Sequence, residues 1–404
     1  MSKIKFFMTF DTKNTLLLFV FIFSFLSSFC QNRILVGADQ HEKYIPLLEN
    51  KKIGVVAHKA SILNRPKKIH LVDFLINQNI NIKSIFAPEH GFYGKASDGQ
   101  IINDIKDKST GLNIISLYGK TKKPIPKDLK DIEIIVFDLQ DVGARFYTYL
   151  STLHFVMQAC AENDIPIIIL DRPNPNGHYV DGPVLDLKFQ TFVGMHPVPI
   201  VHGMTLGEYA QMINGEEWLG ENLKCKLQIV KIQNYTHNTR YILPVRPSPN
   251  LPNNQSILLY PSLCLLEPTS ISVGRGTEKQ FQIYGHPNFP KSKFTFKPSP
   301  NFGSKTPKWN GIICNGVSLE EIKVSDQLDL NWLIDAYDKL PKKYFFFKDS
   351  FERIAGTDKL REQIINKVSI NDIRRSWEAE LTNFKKIRKK YLIYPDYDLK
   401  PFKN

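Results

Sequence analysis

The chain has 404 residues, and two domains are the default expectation at that length. Its 42% hydrophobic and 12% aromatic content argues for full globular folding and against disorder. Lysine plus arginine outnumber aspartate plus glutamate by 53 to 40, a net charge of +13 that favours anionic partners; yet the cations are scattered, with small runs at Lys120–Lys130 and Lys385–Lys390, and no basic helix interleaved with aromatics, RNA-binding or zinc-finger signature occurs, so no nucleic-acid partner is expected.

Lys3, Lys5 and Lys13 precede the uncharged stretch Leu16–Leu26, which is followed by Ser27 and Ser28. The stretch is too short to span a bilayer comfortably. Residues 1–30 therefore read as a secretory signal peptide, with either plain cleavage or lipid anchoring through Cys30 at its end, and the protein is expected in the periplasm or cell envelope. Cys160, Cys225, Cys264 and Cys314 form no CxxC pair, and Cys160 is expected as a buried free thiol.

From there strands alternate with helices. Ile53–Ala57 is a short apolar run of the kind buried on both faces, and Ile82–Ala87, Ile132–Leu139 and Ile165–Leu170 read as three further buried strands. Helices are expected near Lys67–Asn79, with Ile69, Val72, Leu75 and Ile76 on one face, and at Leu150–Asn163, with Leu150, Leu153, Met157 and Cys160 in register. The pattern implies an α/β fold, a Rossmann-like parallel sheet wrapped by helices. No GxGxxG follows the first strand and no GxxxxGK[ST] occurs, so neither a dinucleotide nor a nucleotide cofactor is expected. Thr205–Gly215 is a helix opened by a Thr205/Glu208 capping box, which accounts for Glu208 without catalysis. The Pro-, Asn- and Ser-rich stretch Pro244–Pro261 suits a connection between a catalytic domain, residues 31–245, and a C-terminal α+β auxiliary domain, residues 246–404. Further on, Ser318/Glu321 reads as a second capping box and Ser369–Tyr391 as a long helix with Ile373, Trp377, Leu381, Phe384 and Ile387 facing inward.

Ligands of open parallel sheets bind beyond the carboxyl ends of the strands. Those ends carry His58 and Lys59; Glu89 and His90; Asp138, Asp141, Arg145, Tyr147 and Tyr149; and Asp171, Arg172 and Asn174. Bland readings stand beside these: Asp171–Arg172 as a local ion pair, Asp138 as a cap, His202 as a satisfied loop histidine. Glu89 has no helix to cap. It lies between Pro88 and His90-Gly91, directly after an apolar strand, and is the strongest functional candidate. HExxH, paired-histidine and GxSxG patterns are all missing, so no metal is expected and carboxylate chemistry remains.

The segments Ala87-Pro-Glu-His-Gly91, Asp138-Leu-Gln-Asp-Val-Gly-Ala-Arg-Phe-Tyr-Thr-Tyr149 and Asp171-Arg-Pro-Asn-Pro-Asn-Gly177 resemble the NamZ-type exo-β-N-acetylmuramidases of peptidoglycan turnover. So do Asp181-Gly-Pro183, His202-Gly-Met-Thr205, Pro247-Ser-Pro-Asn250, Gly274-Arg-Gly-Thr277 and Ala355-Gly-Thr-Asp358, in the family's order. The resemblance implies a Rossmann-like domain, an auxiliary domain and a cleft between them. It also implies removal of non-reducing-end N-acetylmuramic acid (MurNAc) from MurNAc-GlcNAc fragments, with Glu89 as the catalytic carboxylate.

One departure is Glu267-Pro-Thr-Ser270, where Glu-Gly-Thr-Asn is expected. A second carboxylate would come from Asp141, Asp138 or Glu267, unless the substrate's own acetamido oxygen serves. Arg145, Arg172 or Arg275 would bind the lactyl carboxylate, and His90, Tyr147 and His202 would fix the sugar. The alternatives are a metal-dependent envelope amidase or deacetylase using His90, His202 and Asp141, and a non-catalytic glycan-binding protein.

Overall fold

A computed structural model describes residues 33–64, 68–97, 99–100, 103–341 and 346–397. The expected signal peptide and Cys30 lie outside the described residues.

The centre is a seven-stranded sheet. It comprises β1 (Lys52–Ala57), β4 (Asn81–Ala87), β5 (Ile105–Lys106), β6 (Asn113–Ser116), β7 (Ile134–Asp138), β8 (Ile167–Leu170) and β11 (Leu227–Val230), in the order β11-β8-β7-β1-β4-β6-β5. Every neighbouring pair is parallel except β5 with β6. Side chains alternate between the faces of each strand, and the core divides accordingly. Ile53, Val55, Ala57, Ile85, Val136 and Ile168 join Leu71, Val72, Leu75, Tyr44 and Leu48 on one face. Val56, Phe86, Ile135, Phe137, Ile167 and Ile169 join the helix Tyr149–Glu162 on the other. That second cluster continues through Leu251, Leu263, Phe281, Leu333, Phe351 and Trp377, so the C-terminal part packs on one face of the sheet.

The helix expected from Lys67 starts only at Leu71. Ile69–His70 is instead a short strand, β3, paired with β2 (Ile62–Leu63), and the His70 ring accepts the Val72 N–H to cap the helix. The Thr205/Glu208 capping box is formed as expected, opening the helix Leu206–Gly215. Ser318/Glu321 opens no helix. Ser318 ends β14 (Cys314–Ser318), which lies between β12 (Ile283–His286) and β13 (Thr295–Phe296) in an antiparallel sheet, and its hydroxyl bonds Glu320. Pairing along β14 overrides the local helix signal.

The long helix runs from Ile370 to Lys389, with Ile373, Trp377, Leu381 and Phe384 buried and Ile387 partly so. It packs on β9 (Asp181–Val184), which pairs with β10 (Pro199–Val201). The residues after it form a strap across the first half of the chain. The Tyr394 hydroxyl donates to Asp171 at 2.6 Å, the Ile393 and Tyr394 N–H groups donate to Glu208, and Glu208 also meets His237 at 3.0 Å. Cys160, Cys225 and Cys314 are buried free thiols, and Cys264 is buried as well.

Candidate active site

The chain crosses the sheet between β1 and β7, the point where a crevice opens in such folds. Here that crevice is filled. The His58 ring accepts the Gln140 N–H at 3.1 Å and meets the Tyr149 hydroxyl at 3.0 Å. Asp138 and Arg172 form a buried bidentate ion pair, at 2.5 and 2.8 Å, and Arg172 also donates to the Ile62 carbonyl. Neither residue, though named from sequence as a substrate contact, lines the cleft; each satisfies the other's charge inside the protein.

The cleft opens instead over the end of β4. Its volume is 770 Å³, in the range of small-molecule sites. Its lining joins residues 89–193 to residues 248–354. Pro88 lacks an N–H and ends the β4 ladder. The chain then turns, with the Gly91 N–H on the Pro88 carbonyl at 2.9 Å. His90 takes a left-handed φ of 69°, a conformation costly for a non-glycine residue. Its Nδ1 bonds the Ala96 carbonyl at 3.0 Å, so Nε2 is left to accept from the Ser248 hydroxyl at 3.2 Å. This links the turn to the Pro247–Asn250 segment.

The same turn presents Glu89, 9% exposed, to the cleft floor. Thr148 precedes the helix Tyr149–Glu162 but makes no cap; its hydroxyl donates to Glu89 Oε2 at 2.8 Å. Tyr147 also lines the cleft, its hydroxyl held by the Pro247 carbonyl at 3.1 Å.

On the opposite wall, Glu267 and Arg275 form an ion pair at 2.7 Å, and the Glu267 carbonyl takes the Lys308 ammonium at 2.6 Å. Glu89 and Glu267 are the two carboxylates among the described lining residues, against the cations Lys120, Lys122, Arg275 and Arg353. Tyr118 and Phe192, ring centroids 5.9 Å apart, make a partly exposed aromatic wall, with Lys122 over the Phe192 ring.

Of the residues named from sequence, Glu89, His90, Tyr147, Glu267 and Arg275 thus line one cleft. Arg145, Asp141 and His202 do not. Arg145 is fully buried and donates to the carbonyls of Pro183, Val198, Ile354 and Ala355 at 2.8–2.9 Å. Its charge is used by backbone rather than ligand. Asp141 accepts the Gly143 N–H at 2.6 Å and lies 4.0 Å from the His202 ring, with both groups inside the core. Burial pushes the Asp141 carboxyl up to about 7, against the bonds from Gly143 and Val142, and pushes His202 down to about 3. No group of three or more His, Cys, Asp or Glu side chains is placed to share a metal ion among the described residues, so the set His90, His202 and Asp141 is not assembled.

The residues that reading the sequence missed are Thr148, Tyr118, Phe192, Lys120, Lys122 and Arg353. Thr148 was within reach, since it belongs to the Asp138–Tyr149 segment. The others come from segments that only the topology brings to the cleft.

The Asp141 titration has a measurable sign. The folded carboxyl keeps its proton up to about 7, against an ordinary value of 3.8. Its stabilising contribution is therefore full below the unfolded value and lost as pH rises through about 7. Asp141→Asn is expected to gain on wild type by roughly 2–4 kcal/mol in unfolding free energy between about pH 4 and pH 8. Urea unfolding of both proteins at the two pH values checks this; a constant difference would show that Asp141 does not hold a proton in the folded state.

Two family models cover most of the chain. The model described as exo-beta-N-acetylmuramidase NamZ, N-terminal, matches residues 53–255, and its C-terminal counterpart matches residues 258–394. A Bacillus subtilis (strain 168) protein, peptidoglycan beta-N-acetylmuramidase NamZ, is 37% identical over 378 residues, which is 87% of this chain and 89% of that protein. The crystal structure of a DUF1343 family protein from Bacteroides fragilis NCTC 9343 matches with a TM-score of 0.83 and 44% identity, over 91% of this chain and 100% of its own. A second DUF1343 structure from the same organism matches with a TM-score of 0.74 and 28% identity, over 90% and 99%.

Proposed function

From a chain that belongs to the NamZ family of exo-β-N-acetylmuramidases, we propose the following catalytic arrangement. The protein is a glycoside hydrolase, an exo-β-N-acetylmuramidase of peptidoglycan turnover. Its substrate is a peptidoglycan fragment such as MurNAc-GlcNAc, seated with the non-reducing MurNAc in the cleft. Glu89 gives its proton to the glycosidic oxygen as the C1–O bond breaks; water adds through its oxygen at C1 and gives up a proton to a cleft carboxylate, so that one water is consumed and no net proton is lost. Glu267 is the second carboxylate, held in orientation by Arg275. Tyr118 and Phe192 offer a face to the sugar ring, and the surplus of cations favours an acidic glycan. The observation that carries this reading is the pairing of Glu89 with Glu267 as the carboxylates of one basic, aromatic-walled cleft.

Treatment of defined glycan strands is expected to release MurNAc from the non-reducing end, with no internal fragments. Mass spectrometry of the products decides, and internal cleavage would sink the exo assignment.

A Rossmann-like catalytic domain through residue 245, followed by an auxiliary domain from 246, is supported by the crossover between β1 and β7 and by a cleft with one wall from each part. Export is also part of the proposal and rests on the sequence of residues 1–30 alone. Recovery of the intact chain from the cytoplasm, with Met1 retained, would refute export; palmitate labelling distinguishes lipidation at Cys30 from plain cleavage.

A further inference from the structure

We propose that Arg353 reads the lactyl carboxylate of the bound MurNAc and is the main determinant of its selection over sugars lacking that acid. This assignment rests on the muramidase reading above. Arg353 is exposed, lines the cleft, and has no ion pair or side-chain hydrogen bond to another described residue.

The other arginines named from sequence are committed elsewhere. Arg145 saturates four carbonyls, Arg172 is locked to Asp138, and Arg275 holds Glu267 while lying over the Phe281 ring at 5.1 Å. Among the lysines of the lining, Lys122 sits over Phe192. Lys120 remains, but it is a point charge on a surface turn. A guanidinium offers the planar fork that matches a carboxylate with two parallel hydrogen bonds.

The helix Phe351–Ala355 that carries Arg353 is also fixed from behind. The buried Arg145 donates to the Ile354 and Ala355 carbonyls at 2.9 and 2.8 Å, and the Gly356 carbonyl takes the Asp186 N–H at 2.9 Å. Gly356 is left-handed at φ 80°, and a Cβ there would lie 2.3 Å from the Arg145 guanidinium, so only glycine lets the two approach. Arg145, expected to touch substrate, is instead a positioning residue for the arginine that does. The backbone that carries the charge is thus fixed before binding, while the exposed side chain is ordered only by the ligand.

The test uses the full-length protein with a chromogenic MurNAc glycoside, and with free MurNAc and its lactyl carboxamide as competing inhibitors. Wild type is expected to bind the acid more tightly than the amide. Arg353→Ala is expected to lose about tenfold to a hundredfold in kcat/KM and to bind acid and amide equally, with an unchanged melting temperature. Arg353→Lys should fall between, and Lys120→Ala should keep the preference. An Arg353→Ala variant that retains the acid-over-amide preference overturns the assignment, as does loss of the preference in Lys120→Ala alone. If wild type fails to turn over the MurNAc glycoside at all, the muramidase reading itself falls, and the assignment with it.

Discussion

Glu89→Gln is expected to fold normally and to lose at least about a hundredfold in turnover, the low end for general acid catalysis. Glutamine keeps the shape of the side chain and can still accept from Thr148 through its amide oxygen, so the turn at Pro88–Gly91 has no reason to move. It cannot deliver a proton to a leaving group. The loss should therefore depend on the leaving group, large for a natural disaccharide and smaller for an aryl glycoside whose phenolate departs without help. A melting curve matched to wild type, together with kcat on both substrates, checks the expectation. Near-normal turnover of the disaccharide by a folded Glu89→Gln variant would remove Glu89 from the acid role and move the search to Glu267, since Asp141 does not reach the cleft.

The second large effect is on stability. Arg172→Met is expected to cost about 3–5 kcal/mol, because it leaves the Asp138 carboxylate buried without its partner. Replacing both, as Asp138→Leu with Arg172→Met, should recover most of that loss, since an apolar pair removes the need to desolvate two charges. Urea unfolding of the single and double variants measures the difference. Turnover per folded molecule should stay within a few-fold of wild type in both. A stable Arg172→Met protein with abolished turnover would show that Arg172 does touch substrate and that the buried pair is the wrong account.

Much of the central sheet was legible because its inner strands are largely buried and so are written as apolar runs; β1, β7 and β8 have this form, and β4, interrupted by the exposed Lys83 and by Ser84, has it only over Ile85–Ala87. The Thr205/Glu208 box was legible because its hydrogen bonds are local. Ser318/Glu321 carries a similar pattern yet ends a strand, because pairing of β14 with β12 and β13, both distant in the chain, outweighs a cap.

The site was half legible for a related reason. Polar residues at strand ends can face a ligand or one another, and sequence does not distinguish the two. Glu89 and Tyr147 reach the cleft, whereas Asp138 and Arg172 satisfy each other. Arg353 was invisible because nothing near it in the chain indicates that the helix Phe351–Ala355 returns to the end of β4.

The strap at residues 393–394 has a consequence for the order in which the molecule can be completed. A ribosome makes Asp171 and Glu208 long before it makes Tyr394, whose hydroxyl and backbone N–H are among the groups that satisfy those two buried carboxylates. While the chain is still being synthesised, the sheet and its helices can assemble, but two of their charged groups lack donors that arrive last. The first-made half is thus kept short of its final stability until the last segment emerges, and a nascent chain stalled before residue 390 should stay sensitive to protease where the finished protein resists it.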